Sequence, residues 1–164
     1  MLHWYYCRNE YKKPEIQTRI NTEIANRFKA DKALAKPNES INNKKIVRGL
    51  PVAPNEGLSA DFSLQNGKYH VANTLDLRKH TSIAEAALKS IVLDKSTEVF
   101  GKKTRKIGRK IGVYALERDM KDQYHQHVRL LSDYADEAYN WLDLASQRKF
   151  IRSLYNAMPS ELFQ

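Results

Sequence analysis

Asp61-Phe-Ser-Leu-Gln-Asn-Gly-Lys-Tyr-His-Val-Ala-Asn-Thr-Leu-Asp76-Leu-Arg78-Lys79 alternates apolar and polar residues on both sides of Asn66-Gly67, the pattern of a β-hairpin with a two-residue turn. Phe62 and Leu64 point one way, and Asp61, Ser63 and Gln65 the other. In the return strand Val71, Leu75 and Leu77 oppose His70, Thr74, Asp76 and Arg78. A turn centred on Asn66-Gly67 sets Phe62 opposite Val71 and Asp61 opposite Ala72. The apolar residues then share one face of the sheet, and Asp61, Asp76 and Arg78 share the other.

The flanking elements follow from periodicity. Pro14 suits the first turn of a helix, and Ile16, Ile20, Ile24 and Phe28 recur every fourth residue, which predicts a helix from about 14 to 30. The polar stretch from 31 to 45, interrupted by Pro37, predicts a surface loop, with a short strand near Lys45 to Leu50. Pro51, Pro54 and Gly57 are then expected to break the chain before the hairpin. Ser82-Ile-Ala-Glu85 has the form of a capping box, and Ala84, Leu88, Ile91, Val92 and Val99 carry a helix up to Gly101. The run Ile111-Gly-Val-Tyr-Ala-Leu116 reads as a strand covered on both faces. Met120, Tyr124, Val128, Leu131 and Ala135 mark a further helix, and Ala145, Phe150, Ile151, Leu154 and Tyr155 another before Pro159. The aromatic opening, Leu2-His-Trp-Tyr-Tyr-Cys-Arg8, is β-prone and suits an edge strand.

Composition limits the function classes. A chain of 164 residues with 41% hydrophobic content suits one domain, 1–164, with its own core. The formal net charge of +9 favours polyanionic partners. It is not evenly spread: residues 117 to 143 are acid-rich, whereas six of the nine residues from Lys102 to Lys110 are basic. Lys102, Lys103, Arg105, Lys106, Arg109 and Lys110 are accordingly expected to contact nucleic-acid phosphates, with two glycines letting the backbone approach. A lone Cys7 rules out an intramolecular disulfide and points to a reducing, cytoplasmic setting. No apolar run approaches the ~18 residues needed to span a bilayer, and no signal segment is apparent. Gly-rich phosphate loops, zinc-ligand spacings and nucleophile elbows are absent from the sequence.

The order helix, three-strand meander, helix, strand, with carboxylates on the second and third strands, resembles the PD-(D/E)xK superfamily and its restriction-endonuclease-like α/β fold. The resemblance covers about residues 14–116, leaving the C-terminal helices, about 117–158, as an elaboration. It implies that Asp61 matches the family's first aspartate and Asp76-Leu77-Arg78 the (D/E)-x-K motif. Asp61 and Asp76 would then hold Mg²⁺, with Glu23 from the first helix as a further ligand and Arg78 stabilising charge during phosphodiester hydrolysis. Two departures bear on catalysis. Arg78 stands where the family has lysine and cannot exchange protons as lysine does. A tight turn at Asn66-Gly67 also sets Asp61 about 13 Å along the strands from Asp76, which makes Glu56 an alternative partner unless a wider loop or a bulge changes the register. The expected function is therefore a nucleic-acid-binding protein with a nuclease-like core, hydrolysing phosphodiesters with Mg²⁺ if active. The alternatives are a catalytically silent protein-binding regulator or inhibitor from a phage or mobile-element conflict system, and a basic subunit that binds nucleic acid without cutting it.

Overall fold

A computed structural model describes residues 18–104 and 107–163. The predicted N-terminal strand, Trp4, Tyr5, Tyr6 and Tyr11, the first residues of the predicted helix, and Arg105 and Lys106 lie outside the described residues. The chain runs α1 (Arg19–Ala30), β1 (Val47–Ala53), β2 (Leu58–Asn66), β3 (Lys68–Asp76), α2 (Ile83–Thr104), β4 (Ile107–Ala115), α3 (Lys121–Asp133), β5 (Glu137–Asn140) and α4 (Leu144–Asn156). This is an α/β fold in which the expected order of helix, antiparallel meander, helix and strand is found. The five strands among the described residues form one mixed sheet in the order β1-β2-β3-β4-β5, with β3, β4 and β5 parallel.

Helices α1 and α2 begin where the sequence supplies a side-chain cap. Thr18 accepts the Asn21 backbone N–H at 3.4 Å, so α1 starts at Arg19. Ser82 accepts the Glu85 N–H at 3.2 Å, forming one half of the predicted capping box of α2. The α1 stripe is as expected: Ile20, Ile24 and Phe28 are buried, and Phe28 meets Phe62 edge-on with ring centroids 5.2 Å apart. The α2 stripe is as expected only at Val92, and the Val99 side chain lies outside the described residues. The buried face of α2 carries Ala86, Ser90, Val92, Leu93 and Ser96, whereas Ala84, Leu88 and Ile91 are exposed. Small polar side chains caused the misreading, because Ser90 and Ser96 return their hydroxyl bonds to Ala86 and Leu93 carbonyls and so tolerate burial.

The sheet separates two cores. On one side α1 and α4 pack Ile20, Ile24, Phe28, Phe150 and Leu154 against Phe62, Leu64, Ala72, Ile111 and Val113. On the other, α2 and α3 pack Ala86, Leu93, Tyr124 and Leu131 against Val71, Leu75 and Leu77. A strand covered on both faces cannot alternate cleanly, and β3 is buried along nearly its whole length.

Four boundaries differ from the sequence reading. Strand β1 runs on to Ala53 through Pro51, which an edge strand accommodates because one side of its backbone has no ladder partner. Strand β4 begins at Ile107, so Arg109 and Lys110 lie in a strand, and Lys102 and Lys103 fall in the last turn of α2 rather than in a loop. Strand β5 has only four residues, too few for its alternation to stand out in the sequence. The hairpin register is also shifted. Asn66 pairs with Lys68 and Phe62 with Ala72, so the reversal is centred on Gly67, whose φ of +72° favours glycine.

Candidate functional site

A one-residue change of register exchanges the faces of every residue in the return strand. Phe62 and Leu64 therefore share a core with Ala72, while Val71, Leu75 and Leu77 face the opposite one. The two aspartates separate with them. Asp76 is engaged from the α1 layer, accepting the Ile20 backbone N–H at 3.0 Å. Asp61 is engaged from the α2 layer, accepting Lys89 Nζ at 2.9 and 2.8 Å.

Asp76, Arg78 and Glu23 do come together. Asp76 Oδ1 accepts the Arg78 backbone N–H at 3.1 Å and Nε at 3.0 Å, and Oδ2 accepts Arg78 Nη2 at 2.9 Å besides the Ile20 N–H. The guanidinium reaches onward from Nη1 to Glu23 Oε1 at 3.0 Å and Oε2 at 3.2 Å. Glu23 also accepts Arg19 Nε and the Trp141 indole N–H, each at 3.0 Å. Burial alone would raise the Asp76 carboxyl, but hydrogen bonds from Arg78 and Ile20 and the Arg78 charge hold it below its ordinary value. Glu23 is lowered in the same way: burial is outweighed by Arg78, Trp141 and Arg19. Arg78 is raised, chiefly by its bonds to Asp76.

Asp61 occupies a second arrangement where β2 and β3 stop pairing through their backbones. Its N–H donates to Asn73 Oδ1 at 2.9 Å, and its Oδ2 accepts the Thr74 N–H at 2.7 Å and hydroxyl at 2.8 Å. Asn73 Nδ2 in turn donates to the Lys89 carbonyl at 2.9 Å. These side chains replace ladder partners, so the strands can part without orphaning buried backbone groups.

The donor set does not fit Mg²⁺. All four lone-pair directions of Asp76 are taken by protein N–H groups, and both oxygens of Asp61 and of Glu23 are bound to cations. Among the described residues no three His, Cys, Asp or Glu side chains are grouped as metal ligands would be. A divalent ion would have to displace Arg78 or Lys89 and leave a cation stranded in a partly buried site. Glu56, the alternative metal-ligand partner, lies in a short 3₁₀ turn and is exposed.

Beside Asp61 opens a cleft of about 1390 Å³ that runs from α1 past the β1–β2 hairpin to α2. Its walls carry Lys29, Lys36, Arg48 and Lys89, with Asp61 as the lone acidic side chain among the lining residues. Arg48 is fixed by Asn21, whose Oδ1 accepts its Nε at 2.8 Å. Burial lowers the Arg48 guanidinium, and the nearby Asp61 charge opposes that shift. Of the predicted basic contacts, Arg109 holds Ser153 Oγ at 2.7 Å and lies 3.6 Å from Glu137. His80 and His125 are exposed, while His127 Nε2 stands 2.8 Å from the Thr81 carbonyl. No protein-family model, curated protein or solved structure matches the chain.

The sequence reading missed Arg48, Asn73 and Lys89. Lys89 had a usable signal, because it stands three residues after Ala86 and four before Leu93, inside the stripe that α2 buries. A cation there needs a buried anion, and Asp61 supplies it. Arg48 and Asn73 carried no such signal.

Proposed function

We propose that this chain binds nucleic acid in the cleft between α1, the β1–β2 hairpin and α2, and does so without metal-dependent cleavage. The observation that carries the reading is the cleft's charge: four cations face it against a single carboxylate that already holds Lys89. Lys29 and Lys36 at the rim and Arg48 within it would meet phosphates, and the net charge of +9 would speed encounter. The order of elements supports placing this binding on a nuclease-like scaffold whose carboxylates are neutralised by Arg78 and Lys89. A second reading, a protein-binding regulator or inhibitor, takes support from Ile83, Leu88 and Ile91, large apolar side chains about half exposed along α2.

Fluorescent single- and double-stranded oligonucleotides, titrated at several salt concentrations with and without Mg²⁺ or Mn²⁺, test this. The expected result is binding that weakens steeply with salt, leaves the oligonucleotide intact, and loses affinity in Lys29→Ala/Lys36→Ala. Absence of binding at low salt would overturn the reading. Metal-dependent cleavage lost in Asp76→Ala would return the chain to the hydrolytic class.

A further inference from the structure

The parallel start of β3 and β4, at the tip of the hairpin, forms a second cavity that is separate from the cleft. It measures about 490 Å³ and is lined by Asn66, Lys68, His70, Arg109, Ser153 and Asn156, together with Gly108 and Ala157. No acidic side chain lines it among the described residues. We infer that this cavity binds a terminal phosphate group, with Lys68 and Arg109 supplying charge and the neutral imidazole of His70 supplying a directed N–H donor.

The geometry fixes His70 for that task. Its Nδ1 accepts the Arg109 backbone N–H at 3.1 Å, which leaves the neutral ring's proton on Nε2. Nε2 has no hydrogen-bond partner among the described residues. Gly108 leaves the room the ring needs: a Cβ there would stand 2.6 Å from His70 Cε1 and Nδ1 and 2.8 Å from the Tyr69 carbonyl. The glycine is thus required by the close approach of two strands to one imidazole. Burial lowers the His70 pKa, Arg109 and Lys68 lower it further, and Glu137 works the other way. That Glu137 carboxylate is occupied, accepting the Tyr139 hydroxyl at 2.6 Å and the Ser153 hydroxyl at 3.0 Å, and it does not line the cavity. A phosphate entering here would accept from Nε2–H and the Lys68 ammonium and draw on the charge of the half-exposed Arg109, whose Nη1 also donates to Ser153 Oγ.

The inference is independent of the nucleic-acid reading, because its ligand is a phosphate group rather than a polymer. NMR of the intact chain, ¹⁵N-labelled at histidine, is titrated with inorganic phosphate, with sodium chloride at matched ionic strength, and with one dinucleotide carrying or lacking a 5′-phosphate. The expected result is a saturable shift of the His70 Nε2–H resonance with phosphate and with the phosphorylated dinucleotide. Chloride and the unphosphorylated dinucleotide, whose one phosphate is a singly charged internal diester, should leave it in place. Tighter binding of the phosphorylated dinucleotide than of inorganic phosphate would identify nucleic-acid ends as the source, and equal binding would identify free phosphate. Lys68→Ala, a change at an exposed position, should weaken binding about tenfold. Lys121→Ala, exposed on α3, should not. A shift that chloride reproduces, no saturable shift, or wild-type affinity in Lys68→Ala would overturn the inference.

Discussion

Arg78 closes on Asp76 through three of its nitrogens, the nearest contact being Nη2 to Oδ2 at 2.9 Å, with side chains that are 9% and 3% exposed. With the Ile20 N–H on the remaining direction, every oxygen direction that a metal would use is occupied. The pair works as a clasp between the end of β3 and α1, because the same guanidinium holds Glu23 and the same carboxylate holds the Ile20 N–H.

Removing one half of such a pair strands the other. Arg78→Ala should destabilise the fold by about 3–5 kcal/mol, as expected when a buried carboxylate loses its cation. Arg78→Lys should recover part of this loss, since one ammonium cannot span Asp76 and Glu23 together. Urea unfolding of the three proteins checks the order wild type, Arg78→Lys, Arg78→Ala.

The second clasp is more open to water. Lys89→Ala should cost about 1–3 kcal/mol, because Asp61 keeps its Thr74 bonds while losing its counter-ion. The double variant Lys89→Ala/Asp61→Asn should be more stable than Lys89→Ala alone. A double-mutant cycle by thermal unfolding reads the coupling, and strict additivity would show that the pair contributes nothing.

Stability should fall with acid in two windows. His70 has a folded pKa below its ordinary value, so its contribution is full above about pH 6.5 and declines as the pH drops towards that lowered value. Asp76 and Glu23 are also depressed, so theirs holds above the ordinary carboxylate range and is lost as the pH falls through their folded values, below about 4. Thermal midpoints between pH 8 and pH 3 should show both declines, and His70→Gln should remove only the first.

Millimolar Mg²⁺ or Mn²⁺ should leave the thermal midpoint of the protein unchanged within about 1 °C, since a ligand raises stability only by binding the folded state. A concentration-dependent rise that disappears in Asp61→Asn or Asp76→Asn would reveal a divalent site at the corresponding carboxylate.

The order of elements was legible because α1 and α4 carry regular apolar stripes, and because the hairpin alternates on both sides of Gly67. The site was less so. Asn66-Gly67 signals a turn but not whether the reversal is centred on the peptide between the two residues or on the glycine, and that half-step decides which face Asp76 takes. Leu88 and Ile91 were misleading for another reason. Helical spacing marks an apolar stripe, yet the sheet buries the serine-bearing face of α2 and leaves those two outside. Lys89 could have been found as a cation within the buried stripe, whereas Asn73 gains its role only from the parting of β2 and β3, and Arg48 only from its bond to Asn21 on α1.

Both margins of the sheet are blunted, one by Pro51 and the other by the brevity of β5. Among the described residues, neither offers a long row of unpaired backbone groups on which a further strand could grow. Association with another molecule is therefore steered away from strand addition, leaving side chains, rather than main-chain templating, to choose the partner.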